Sequence, residues 1–213
     1  GGTGQLISEL LGRKRLKPTP LAVLGTDVNG KPVTLVDRII ASLGSLGAAP
    51  ACVFLETPTN PELQAHDFDA LMTALRAHEA KHGRKVPVIV DTTLAPLFPI
   101  FSRSWARAWP FLLVKSGSKY FTKGKSTLGV VACDGEPLAQ RIVDRARALG
   151  RDADSFAKPA QLVHLHEALG DLTPRLQTIS RHTMKLAEGL RAALRRHGHE
   201  ITLYAISEAQ VAE

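Results

Sequence analysis

Short apolar runs alternate with amphipathic stretches along most of the chain. Runs of strand length occupy residues 20–24, 51–55, 86–90, 111–114 and 128–133, most of them bounded by Pro, Gly or Asp. Apolar residues at helical spacing predict helices over 5–11, 33–46, 67–82, 104–109, 135–150, 159–169 and 172–197. Asp67 is placed to cap the helix that Gly83 ends. In the longest stretch Leu176, Ile179, Thr183, Leu186, Leu190 and Leu194 fall on one stripe, and a helix of that length often joins domains. Beyond Gly198 a further strand is predicted to begin at residues 200–204. Helices and strands in this alternation predict an α/β architecture with a mostly parallel sheet.

Two strand ends carry chemistry. The run at 86–90 stops at Asp91, and the run at 111–114 is followed by Lys115-Ser116-Gly117-Ser118-Lys119-Tyr120. Strand ends in open α/β sheets are where ligands dock, so a carboxylate and a lysine there suggest a cofactor site. A lysine amine condenses with a carbonyl, and pyridoxal 5'-phosphate (PLP) supplies one while needing a carboxylate to keep its pyridine nitrogen protonated. Ser116 and Ser118 would offer hydroxyls to its phosphate. On spacing alone an ordinary exposed lysine after a strand, with a capping aspartate, remains an open alternative. Between the first two strands of this part, Glu56-Thr57-Pro58-Thr59-Asn60-Pro61 carries two prolines that stiffen the loop.

Composition adds less. The chain has 213 residues, 44% of them hydrophobic, enough for a sizeable core. No apolar run reaches the roughly 20 residues of a membrane span, and the N-terminal residues lack a signal pattern, so a soluble, cytoplasmic protein is expected. Cys52 and Cys133 fall in predicted buried strands, as reduced structural thiols do. The net charge of +7 is scattered over helix faces, and aromatics are 5%, so neither a nucleic-acid nor a membrane partner is expected. His164-Leu165-His166 lacks a carboxylate or cysteine cluster, so no metal site is expected. His182, His197 and His199 are expected to face solvent. Lys123-Gly124-Lys125-Ser126 lacks the upstream glycine of a phosphate-binding loop.

Three ordered motifs, Glu56 to Pro61, Val90-Asp91-Thr92-Thr93 and Ser116-Gly117-Ser118-Lys119-Tyr120, resemble the signature of the PLP-dependent enzymes of cysteine and methionine metabolism. That family includes cystathionine synthases and lyases, methionine γ-lyase and O-acylhomoserine sulfhydrylases. The resemblance implies a three-layer αβα, aspartate-aminotransferase-like (type I) large domain, truncated at both ends. Residues 1–170 would form its PLP-binding part, and residues 171–213 the linking helix and start of a small domain. Lys119 would hold PLP as a Schiff base and move the substrate Cα proton. Asp91 would pair with the pyridine nitrogen, Asn60 with the phenolic oxygen, Thr93 would support the ring, and Ser116 and Ser118 would bind phosphate. The implied reaction is β- or γ-elimination or replacement on a sulfur-containing or O-acylated amino acid, in a homodimer or homotetramer. An aminotransferase of the same fold, or a non-catalytic relative, are the alternatives.

The chain departs from the family at Ser118, where threonine is usual, at Thr92, commonly asparagine, and at Lys115, commonly histidine. Gly124-Lys125 stands where a glycine-histidine step is usual. Gly1-Gly2-Thr3 resembles the segment that follows the family's cofactor-stacking aromatic. Family members are nearly twice as long. Their glycine-rich phosphate loop and the arginine that binds substrate carboxylate are therefore expected outside these residues.

Overall fold

A computed structural model describes residues 18–22, 25–27, 29–60 and 63–201, together with Glu9. The predicted helix over 5–11, Glu9 apart, lies outside them, as does the strand predicted at 200–204 beyond residue 201. Two compact units divide the chain, residues 1–45 and residues 46–213.

In the first unit the predicted strand at 20–24 does not form over its described residues 20–22. Pro20 has no N–H to give a ladder. Instead Thr26 bridges Pro32 across a turn, in which Asp27 Oδ1 accepts from the N–H groups of Asn29 and Lys31 at 2.8 and 2.9 Å. Helix α1, Leu35–Leu46, follows. At its start Thr34 and Asp37 cap each other reciprocally.

The second unit holds a four-stranded sheet in the order β1-β2-β3-β4. Its strands are β1, Val53–Glu56; β2, Val88–Asp91; β3, Phe111–Ser116; and β4, Gly129–Ala132. The first three run parallel, with Glu56 beside Asp91 and Asp91 beside Val114. All three therefore finish at one edge of the sheet, and the motif loops leave from it. β4 returns antiparallel to β3, pairing Gly129 with Ser116. This return needs no helical crossover, so the lysine segment closes as a short loop between neighbouring strands.

The core lies along β2 and β3. Val88, Val90 and Phe111 are fully buried, whereas β4 alternates exposed and half-buried residues. Helix α2, Phe68–His82, links β1 to β2; Asp67 Oδ1 accepts from Ala70 N at 2.9 Å, and Gly83 ends it at φ +66°. It buries Phe68, Leu71, Met72 and Leu75. Phe68 stacks on Trp105 of the short helix α3, Ser104–Arg107, at 4.9 Å between centroids, and Trp105 leans on Phe111 of β3. The fully enclosed Trp109 donates from Nε1 to the carbonyl of Val86 at 2.8 Å. Helices α4, Pro137–Asp152, α5, Pro159–Leu169, and α6, Leu172–Arg196, complete the unit.

The predicted stripe of α6 is buried only near its start. Leu176 is enclosed, whereas Ile179, Leu186 and Leu190 are exposed. The cysteine expectation needs correction: Cys52 precedes β1 and is exposed, and Cys133 follows β4 half-buried. The apolar runs start the predicted strand two residues before β1 and carry the last one a residue past β4, and those terminal positions lose their cover. His182, His197 and His199 are exposed, as expected.

Candidate active site

At the edge where the parallel strands end, Asp91 is fixed by its own neighbourhood. Its Oδ1 accepts from the backbone N–H and the hydroxyl of Thr93, at 2.8 and 2.6 Å. Thr93 Oγ1 in turn accepts from the N–H of Ser116, at 2.8 Å, and so ties the ends of β2 and β3 together. An aspartate that receives the N–H two residues on forms an Asx turn, which Asp-Thr-Thr is suited to make. Thr93 is buried and Asp91 half-buried. Among the described residues Asp91 Oδ2 accepts no hydrogen bond. A carboxylate oriented through one oxygen and open at the other suits a cationic ring N–H, so the residues present fit PLP at this position. The Ser116 hydroxyl is likewise without a hydrogen-bond partner among the described residues.

Lys119 follows in the loop between β3 and β4. Its side chain is exposed and makes no hydrogen bond or ion pair among the described residues. Gly117 starts the loop under Leu128: its N–H donates to the Leu128 carbonyl at 2.7 Å, and a Cβ there would stand 3.0 Å from the Leu128 side chain. Ser118 Oγ accepts from Leu128 N at 3.1 Å and donates to Leu128 O at 3.4 Å, so this hydroxyl braces the loop. The fully buried Thr122 donates through its hydroxyl to the carbonyls of Ser118 and Ser126. Lys123 and Gly124 then turn through left-handed backbone, at φ +54° and +78°. Thr122 was not anticipated, because a threonine inside a polar loop carries no mark of burial in the sequence.

Asn60 lies exposed on the loop after β1. The Thr57 N–H donates to the Asp91 carbonyl at 2.9 Å, which continues the β1–β2 ladder into this loop. Thr59 closes it: its N–H donates to Gln64 O, its carbonyl accepts from Leu63 N and its hydroxyl from Gln64 N, at 2.8 to 3.1 Å. His66 donates from Nε2 to the Glu56 carbonyl at 2.9 Å, and burial holds its pKa below the ordinary imidazole value. The structure thus joins Asp91, Thr93 and Ser116 by direct hydrogen bonds. It sets Ser118 and Lys119 in the next loop and Asn60 in the preceding one, without a bond between Lys119 or Asn60 and that trio among the described residues.

Lys115, one residue after the partner of Asp91 in β3, projects to the opposite sheet face. It donates to the Pro96 carbonyl and lies 5.9 Å from the Phe121 ring centre, and burial lowers its pKa. It belongs to the packing behind the site. His164 Nδ1 pairs with Ser126 Oγ at 2.5 Å, so this half of the His-x-His step is a loop contact. No cluster of three or more metal-ligating side chains occurs among the described residues. Nor is any described helix long and apolar enough to cross a membrane.

Comparison with known proteins fits this arrangement. Residues 31–198 match the family described as Cys/Met metabolism PLP-dependent enzyme. Cystathionine gamma-lyase of Saccharomyces cerevisiae is 30% identical over 141 residues, 66% of this chain and 34% of the yeast protein. The chain thus spans about a third of that relative's length. Among solved structures, cystathionine gamma-lyase from Lactobacillus plantarum superposes with a TM-score of 0.63 at 21% identity, over 89% of this chain and 43% of that one. A PLP-bound putative aminotransferase from Clostridium difficile gives 0.60 at 14% identity, over 84% of this chain and 45% of that one. These two likenesses establish the fold. With more than half of its length matched by that family, the chain belongs to the PLP-dependent enzymes of Cys/Met metabolism.

Proposed function

We propose that this chain forms the PLP-binding part of an enzyme that eliminates or replaces a substituent at Cβ or Cγ of a sulfur-containing or O-acylated amino acid. The observation that carries the reading is the Asp91 carboxylate, held through Oδ1 by Thr93 and open at Oδ2 where β2 ends. Asp91 would hold the proton of the pyridine nitrogen, Asn60 the phenolic oxygen, and Ser116 and Ser118 the phosphate. Thr93 would support the ring while keeping Asp91 aligned, and Lys119 would hold the cofactor through Nζ. For Ser118 this role requires its hydroxyl to turn from the Leu128 backbone. PLP, when bound, withdraws electrons from the substrate Cα. The protein's own part in the chemistry is then proton movement, with Lys119 Nζ taking the Cα proton and passing it onward.

The same proposal divides the chain into a PLP-binding part, residues 1–170, and a linking helix with the start of a small domain, residues 171–213. It includes a homo-oligomeric, cytoplasmic enzyme with an amino-acid substrate. The test is to supply the full-length protein with cystathionine, methionine and an O-acylhomoserine in turn, following ammonia, 2-oxo acid and thioether products. Release or replacement of the side-chain substituent supports the proposal. Amino transfer to a 2-oxo acid without such release would make the protein an aminotransferase. A cofactor-loaded protein that turns over nothing would make it a non-catalytic relative.

A further inference from the structure

We infer that Arg175 is a positioning residue for Lys119, acting through the backbone carbonyl of Tyr120. The inference rests on the reading of Lys119 as the cofactor lysine. The exposed Lys119 side chain makes no hydrogen bond or ion pair among the described residues that would fix its amine. Its position is therefore set by how the backbone is held before and after it. The carbonyl before it, of Ser118, accepts from Gly124 N at 2.9 Å and from the Thr122 hydroxyl at 3.3 Å. Both donors lie within the same loop. One peptide further on, the carbonyl of the next residue, Tyr120, accepts from Arg175 Nη1 at 2.9 Å, across 55 residues of sequence. One side of Lys119 is thus tied to its own turn and the other to the first turns of α6.

The guanidinium is itself well held. Nη2 donates to the Ala168 carbonyl at 3.1 Å and to Asp171 Oδ1 at 3.4 Å, and Nε also reaches Asp171 Oδ1 at 3.4 Å. Asp171 Oδ2 accepts from Lys123 Nζ at 2.7 Å. One carboxylate therefore steadies both the arginine and the left-handed Lys123, and the hydrogen bond from Lys123, with the smaller effects of Arg175, holds its pKa below the usual carboxylate value. The planar fork of arginine can meet three acceptors in fixed directions, which a lysine ammonium on a flexible stem cannot reproduce. Lys125, in the same loop, pairs with Glu167 at 3.5 Å and has no hydrogen bond to the Ser118 or Tyr120 carbonyl.

The experiment uses full-length protein reconstituted with PLP, comparing wild type with Arg175→Ala, Arg175→Lys and, as a control, Lys125→Ala. Three quantities are read: kcat, KM, and the rate at which borohydride fixes cofactor to the Lys119 peptide. A displaced reacting group costs on the order of tenfold to a hundredfold in rate. Arg175→Ala is therefore expected to lower kcat at least about tenfold with KM within about twofold, and to slow fixation in parallel. Arg175→Lys should fall between Arg175→Ala and wild type, and Lys125→Ala should match wild type. Where Arg175→Ala does not fold, Arg175→Lys decides on the same readouts. Arg175 variants that melt earlier yet keep wild-type kcat and fixation rate overturn the positioning role alone. Absence of label on Lys119 in wild type overturns the cofactor reading, and the inference with it.

Discussion

Asp91 ends one parallel strand and Lys119 lies in the loop that follows its neighbour, and they are held in opposite ways. Asp91 is oriented by a residue two positions on, Thr93, and by a strand paired in register with its own. Lys119 sits in a loop braced by a buried threonine, a packed glycine and an arginine on a distant helix. The group assigned to hold a ring proton is locked by local chemistry. The group assigned to move a proton is carried on a support assembled from its own loop and a distant helix.

The largest effect that tests this contrast is chemical. Lys119→Ala should lower turnover by at least about a thousandfold, the upper part of the range for a lost general base, with the melting temperature of the cofactor-free protein unchanged because the side chain is exposed. Steady-state ammonia release and a thermal scan check both halves. The Asp91 side is probed by Thr93→Val, which removes a donor from Asp91 and leaves the Ser116 N–H without its acceptor. It should destabilise the fold by about 2 kcal/mol in urea unfolding, the scale of one orphaned buried group, and weaken PLP retention. In the lysine loop, Gly117→Ala places a methyl 3.0 Å from Leu128 and should destabilise by about 1–2 kcal/mol. Combined with Leu128→Ala it should cost less than the two single losses added, as contacting residues do.

Smaller effects lie behind and beside the site. Thr92 is fully buried and its hydroxyl has no partner among the described residues. Thr92→Val should therefore stabilise the protein by about 1 kcal/mol in the same unfolding measurement. His66 is expected to show a shallow pH dependence. Burial keeps its folded pKa below the ordinary value of 6.5, so the unfolded chain takes up the proton first as pH falls. The stability that the neutral ring contributes is complete above about pH 6.5 and is lost as pH falls through the depressed folded pKa. His66→Gln, which keeps a donor for the Glu56 carbonyl, should flatten that slope in unfolding curves measured between pH 5 and 8.

What the sequence disclosed follows the same division. Strand ends at Asp91 and near Ser116, the Asp67 and Gly83 caps and the long helix α6 depend on neighbours in sequence, and all were legible there. The three motifs marked the loops that meet at one sheet edge. Thr122 and Arg175 were not legible, because their value lies in pairings that only the folded chain creates. An arginine near the start of a helix reads as a solvated charge until its acceptors, carbonyls from a loop and a neighbouring helix, are brought to it. The cysteines failed for a related reason: strand termini resemble strand interiors in composition but differ in what covers them.

The central claim, that Lys119 is the lysine which holds PLP, is tested most directly by reducing the cofactor-loaded protein with borohydride and mapping the labelled peptide. The account predicts a single phosphopyridoxyl label on the peptide containing Lys119. Label on Lys115 or another lysine, or protein that retains no label, would contradict it.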